Sequence, residues 1–315
     1  MKKTDFNEKT QALITKVEQK FPKEVIIEQD NDRQEDWLAF DQSGHKIDSA
    51  GNLRIVVAHS SDLNFTVAHE LRHVLLEMSD LPKISFPVTT GQPEMDSQVK
   101  VTGAALIGSA EHILIMQQQY AHQEVNAAVT KQFKVGIAKK VPAETDKSDN
   151  MYLFRILMLL DALTFSQGEV YPDWQQAYPK AMPTVKKLYD NLVPKIGMTA
   201  FSVRRSEIEL LSDFNEILAT NHFQTMPYAD FMAIGPVVSQ RQLRLAMKQV
   251  FQIKHSNFNS LKTKHRAFLL IGASDNQSVA ELNLQANLQP AAYQDLYQTT
   301  VKDFLEQQKI AYSVR

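Results

Sequence analysis

The 315-residue chain carries 34 Lys and Arg against 36 Asp and Glu, a formal net charge of -2, so no global charge excess points to nucleic acid or to an anionic membrane. At 43% hydrophobic and 22% charged residues it has the composition of a chain that folds rather than one that stays disordered. It contains no cysteine, which excludes disulfide scaffolds, thiol nucleophiles, iron–sulfur clusters and thiolate zinc sites and leaves His and carboxylates as the metal ligands.

The start, MKKTDFNEKTQ, lacks the apolar core of a secretory signal. The longest apolar stretch, Met151 to Phe165, is broken by Arg155 and Asp161 and is shorter than the roughly 20 residues of a membrane span, so a cytoplasmic protein is expected. At 35.8 kDa the chain exceeds what one core usually serves, and two domains are expected.

Residues 5–20 space Phe6, Leu13, Ile14 and Val17 as a short amphipathic helix does. Three β-rich runs follow, Glu24 to Glu28, Trp37 to Phe40 and Arg54 to Ala58, separated by Asn, Asp, Ser and Gly clusters; they predict a small, mostly antiparallel sheet with Arg54 to Ala58 at its edge. Ser60 to Met78 opens with Ser and Asp as candidate N-caps and reads as the strongest helix. Ser79 to Ser109, with three prolines and two glycines, reads as a loop, and a second helix runs from about Ala110 to Val129. The polar stretch Val141 to Asn150 marks the boundary between a first domain, 1–145, and a second, 146–315. The second domain is expected to be mainly helical, over Met151–Phe165, Pro183–Leu192, Ser206–Ala219, Ser239–Ile253 and Pro290–Gln308, with Ala267 to Ile271 as one strand.

The helix from Ser60 contains His69-Glu70-Leu71-Arg72-His73, an H-E-x-x-H pattern. Histidines at i and i+4 lie one turn apart on one face, so both imidazoles can reach a single Zn2+. Glu70, next to the first ligand, is placed to take a proton from water rather than to bind the ion, while Leu71, Val74, Leu75 and Met78 face the core.

Arg54-Ile55-Val56-Val57-Ala58 followed by FTVAHELRHVLLEM resembles the ImmA/IrrE-type metallopeptidases and their minimal gluzincin relatives. The resemblance covers roughly the first 130 residues and implies an α+β, zincin-like domain: a helix, a short sheet, the HExxH helix and a second ligand helix. Arg72 departs from it, standing where many members have a small residue, and adds charge near the expected cleft. The resemblance implies a third ligand from the following helix, where Ala110-Glu111-His112-Ile113-Leu114-Ile115 is similar to an E-H-x-I-I signature. Glu111 is the first choice and His112 the alternative, with Glu94, Asp96, His122 and Glu124 behind them. Tyr120, on the same helix, reads as an interface aromatic rather than an oxyanion donor.

The activity implied is zinc-dependent hydrolysis of a peptide bond in a protein or peptide, a bacterial regulatory protein being the substrate class that the resemblance suggests. Glu70 serves as general base, and the strand Arg54 to Ala58 pairs with the extended substrate. The alternative is a non-catalytic metal-containing regulator that binds a protein or nucleic acid through its C-terminal domain. Its basis is the segment 231–274, which has no acidic residue and holds Arg241, Arg244, Lys248, Lys254, Lys262, Lys264 and Arg266. The plainer reading of these charges is a solvated face, and the general base Glu70 favours the enzyme.

Overall fold

The computed structural model describes residues 1–34, 37–59, 62–145, 150–284 and 289–315. The protein is of mixed α+β class and divides into two compact units, Met1–Ser79 with Glu111–Val193 and Asp80–Ala110 with Pro194–Arg315.

In the first unit, α1 (Glu8–Lys20) begins at Asn7, whose side chain accepts a hydrogen bond from the Thr10 amide. It leads into a three-stranded sheet of β1 (Val25–Gln34), β2 (Ser43–Ile47) and β3 (Leu53–His59) in the order β1-β3-β2. β1 runs parallel to β3 and β2 antiparallel to it, so the sheet is half parallel rather than mostly antiparallel. β3, expected at the edge, is the central strand. Leu53, Ile55 and Val57 alternate along it, and each is almost wholly buried in one core with Ile14 and Val17 of α1 and Val67, Leu71 and Val74 of α2 (Leu63–Glu77). Trp37 to Phe40 is not a strand; the pairing falls to Ser43–Ile47, which the turn-like residues Ser43 and Gly44 disguise.

Asp62 caps α2 by accepting from the Phe65 amide at 2.9 Å, while Ser60 and Ser61, the other cap candidates, lie outside the described residues. The next helix, α3 (Pro93–Ala121), begins in the second unit and ends in the first. It starts well before Ala110, because Pro93 sits in the first turn, where a missing N–H costs nothing. Asp96 in that turn accepts from the Thr90 amide at 2.8 Å. By length and composition α3 could cross a bilayer, and 61% of its most apolar window is buried inside the protein.

The first unit continues with α4 (Ala127–Lys140), α5 (Tyr152–Phe165), α6 (Pro172–Ala177) and α7 (Ala181–Leu192). The boundary expected at 141–150 falls inside this unit, and residues 146–149 of it lie outside the described residues. Residues 141–144 of the run are fastened to the rest of the unit. Arg155, 3% exposed, donates to the carbonyls of Pro142 and Ala143, Tyr178 donates to that of Val141, and the Glu144 carboxylate accepts from the Lys180 and Ala181 amides at the start of α7. A polar run reads as a linker only where its hydrogen bonds go to water.

The second unit is less helical than expected. It contains β4 (Ile84–Ser85), β5 (Val88–Thr89), α8 (Ala200–Thr220), α9 (Tyr228–Phe231), β6 (Ala233–Ile234), β7 (Val237–Val238) and α10 (Gln240–Leu243). There follow β8 (Phe251–Ser260), β9 (Arg266–Gly272), β10 (Ser278–Leu282), α11 (Pro290–Gln298), α12 (Val301–Gln307) and β11 (Ser313–Val314). A four-stranded sheet runs β10-β9-β8-β5. The helix expected over 239–253 is a short α10, a single 3-10 turn and the start of β8; Leu243, Met247 and Phe251 still reach one cluster, with Phe268, Phe304 and Leu305, along a broken backbone. Arg241, Arg244 and Lys248 are solvent exposed, and Lys254 is paired with Asp230 at 2.6 Å.

One glycine constrains the fold near the H-E-x-x-H pattern of residues 69–73. A Cβ on Gly136 of α4 would overlap the carbonyl oxygen of Leu38, and no side-chain rotation relieves a clash with backbone. The segment held there carries Phe40. Gly136→Ala is expected to lower unfolding stability by about 3 kcal/mol in urea denaturation, the upper range for overpacking; an unchanged midpoint would contradict this close approach.

Candidate metal centre

α2 is buried nearly all round, from Phe65 to Arg72 without a break. Its Val67, Leu71 and Val74 face the core with β3, and its other face meets side chains from the end of α3 and from the segment before β2. There the ring nitrogens of His69, His73 and His112 come within 4.8 Å of one another. Among the described residues no other group of three His, Asp or Glu converges in this way.

Each ring is held by its Nδ1. His69 Nδ1 lies 2.9 Å from Oε1 of Gln119, a fully buried side chain whose Nε2 donates to the Phe65 carbonyl. With the amide nitrogen so engaged, the Gln119 oxygen is an acceptor, and His69 Nδ1 must carry the proton. His73 Nδ1 faces the Glu111 carboxylate at 3.3 Å, and His112 Nδ1 faces Asp161 of α5 at 2.9 Å. Carboxylates accept, so in all three rings the proton sits on Nδ1 and Nε2 offers a lone pair. Burial, with His73 and His112 nearby, holds the His69 pKa well below its ordinary value, so this ring is neutral.

The Nε2 atoms of His69 and His73 stand 3.3 Å apart. Two acceptors at that distance have no proton to share, and a cation between them resolves the conflict. A tetrahedral zinc with Zn–N bonds of about 2.0–2.1 Å holds its nitrogens about 3.3–3.4 Å apart, so the spacing of this pair fits that ion. Three imidazoles also suit copper, nickel or iron.

Of the two candidates for the third ligand, His112 joins the group and Glu111, the first choice, does not. Adjacent residues of a helix point about 100° apart, and with His112 turned toward His69 and His73 the Glu111 carboxylate falls behind the His73 ring, where it orients that ring. Glu94, Asp96, His122 and Glu124 lie outside the group. Tyr120 donates to the Phe165 carbonyl at 2.9 Å, and burial raises its pKa to about 12, as suits an interface aromatic.

Phe40 floors the centre. Its ring stacks on His69 at 4.7 Å and 9° and lies 4.1 Å from the ring of His112, above the stacked pair Phe133 and Phe165. The rings are therefore fixed by packing as well as by hydrogen bonds.

Glu70 is 3% exposed, and both of its oxygens are engaged from β2. Ser43 Oγ donates to Oε1 at 2.6 Å, and His45 Nδ1 lies 3.2 Å from Oε2. Ser43 and His45 are two residues apart on a strand and so share a face. His45 Nε2 meets the exposed Glu77 at 3.1 Å. Burial alone would depress the His45 pKa, but the hydrogen bonds and charges of Glu70 and Glu77 outweigh it and raise the value to about 10. Burial pushes Glu70 upward, and the hydrogen bond and charge of His45 with the hydrogen bond from Ser43 more than reverse this, so the carboxylate stays ionised.

Arg72 does not charge the cleft as expected. It is 2% exposed, turns inward, and donates to the Ala68 carbonyl and to Glu124 at 2.6 Å. Removing one partner of such a buried pair costs about 3–5 kcal/mol, so this pair and Gln119 together clamp α2 to the end of α3. Ser43, His45, Gln119 and Asp161 are not among the site residues that the sequence suggests; only Asp161 stands out there, as an acid that with Arg155 interrupts an apolar stretch.

No family model, no curated protein and no solved structure matches the chain.

His112→Ala is expected to abolish stoichiometric binding of zinc, read by elemental analysis after dialysis, whereas Glu111→Gln, which keeps a hydrogen-bond acceptor behind His73, weakens affinity by about 10–100-fold. Zinc retained by His112→Ala and lost entirely from Glu111→Gln would reverse the assignment of the third ligand.

Proposed function

We propose that this chain is a zinc-dependent peptidase that hydrolyses a peptide bond in a protein or peptide. The observation that carries the reading is Glu70, an ionised and buried carboxylate next in sequence to His69 and held from β2 by Ser43 and His45. A purely structural metal site needs ligands but no base, and keeping a carboxylate ionised in a dry place is costly unless its charge is used. The resemblance of residues 54–78 to the ImmA/IrrE-type metallopeptidases supports the same class and suggests a bacterial regulatory protein as substrate.

His69, His73 and His112 would hold the ion, which when bound supplies Lewis acidity toward a carbonyl oxygen and toward water. Glu70 accepts a proton from the attacking water on a carboxylate oxygen and delivers it to the nitrogen of the leaving amine. Ser43 and His45 keep that carboxylate oriented and in its accepting form. β3 cannot pair with an extended substrate, because both of its edges are taken by β1 and β2; the outer edge of β2 offers the backbone groups instead.

Glu70→Gln is expected to bind zinc as the wild type does and to lose about 10²–10⁴-fold in hydrolysis of a peptide library followed by mass spectrometry. Equal cleavage by the two proteins would remove Glu70 from the chemistry. Zinc binding with no cleavage by the wild type would favour a non-catalytic metal-containing regulator.

A further inference from the structure

The second unit has a cavity of about 480 Å³, independent of the histidine centre and of the peptidase reading. One wall is a single face of α8, where Phe201, Arg204, Arg205 and Ile208 follow each other at three- and four-residue spacing. The facing wall combines Val237 of β7, Gln242 of α10, Asp275 in the turn after β9, and Arg315. The volume lies within the roughly 300–1,000 Å³ of small-molecule sites.

Three guanidiniums line this space against two carboxylates, Glu209 and Asp275. Arg205 is paired with Glu209 at 2.9 Å, and Arg315 lies 4.3 Å over the Phe201 ring with one long contact, 3.4 Å, to Gln242. Arg204 is the buried member, at 9% exposure. Its Nε donates to the Gly235 carbonyl at 3.0 Å and its Nη1 to Asp275, but Nη2 has no partner. A buried N–H of a cation left unpaired is a costly feature. The excess positive charge and the unfilled donor call for an oxyanion, and Phe201, Ile208 and Val237 supply an apolar surface beside it.

We propose that this cavity binds a small organic anion, its carboxylate or phosphate group taken by Arg204, Arg205 and Arg315 and its apolar body lying on Phe201, Ile208 and Val237. Planar guanidiniums present paired N–H donors that match both oxyanions, which is why arginine suits this role.

The test uses the full chain at fixed ionic strength, with phenyl phosphate and phenylacetate as anionic probes and benzyl alcohol as their neutral counterpart. At least one anion is expected to raise Tm saturably, and benzyl alcohol is not. A rise with phenyl phosphate alone assigns a phosphate ligand, with phenylacetate alone a carboxylate, and with both the shared chemistry. Arg204 braces the 234–235 and 275 segments, so the diagnostic variant is the exposed pair Arg205→Gln with Arg315→Gln, which is expected to keep the wild-type Tm without probe and to bind the anion at least about tenfold more weakly. Arg315→Gln alone serves if the double variant does not fold. The proposal is overturned if neither anion shifts Tm, if benzyl alcohol shifts it equally, or if the variant binds the anion as tightly as the wild type.

Discussion

Three hydrogen bonds on the far sides of three imidazoles decide what the centre of this protein is. A histidine ring offers one donor and one acceptor, and the partner on one nitrogen fixes the role of the other. Here Gln119, Glu111 and Asp161 take the Nδ1 protons, so that the opposite nitrogens of His69, His73 and His112 turn toward a common point as acceptors. Those partners come from both ends of the lower part of α3 and from α5, and Phe40 locks two of the rings from below. Lengthening any one of these bonds frees a ring to rotate, and the lone pairs no longer meet.

The rest of the first unit follows from burying α2 to bring this about. A helix buried nearly all round must find partners for the charged groups it carries, and α2 does so asymmetrically. The apolar face packs on β3, Arg72 pairs with Glu124, and Glu70 is answered by Ser43 and His45. Charge on charge in a dry place is worth little net stability but is expensive to break, which favours one register of α2 against α3 over any slipped alternative. The same matching keeps Glu70 ionised, so the constraint that fixes the structure also sets the chemical state of the proposed base.

Much of this was legible from residues in order, and the failures have physical reasons. HExxH needs only the helical period to place two histidines on one face, and α2, α5 and α8 carry long, regular patterns. The choice between Glu111 and His112 turned on about 100° of helix rotation, which spacing alone leaves open where α3 is apolar over most of its length. β2 was hidden because Ser43-Gly44 reads as a turn, and only pairing with β3 makes it a strand; with it Ser43 and His45 were lost from view. The second unit misled most. Leu243, Met247 and Phe251 have helical spacing, yet they reach a common cluster through a short helix, a 3-10 turn and a strand, so periodicity reported burial correctly and backbone wrongly.

We propose that three imidazole nitrogens, and no carboxylate of this chain, hold the ion. X-ray absorption at the zinc edge on the zinc-loaded wild-type protein tests it without any substrate. The account predicts one zinc per chain with three imidazole nitrogens at about 2.0–2.1 Å and one further light atom that is not supplied by a carboxylate. Zinc with only two imidazoles and a carboxylate in its first sphere, or no zinc retained after loading, would contradict it.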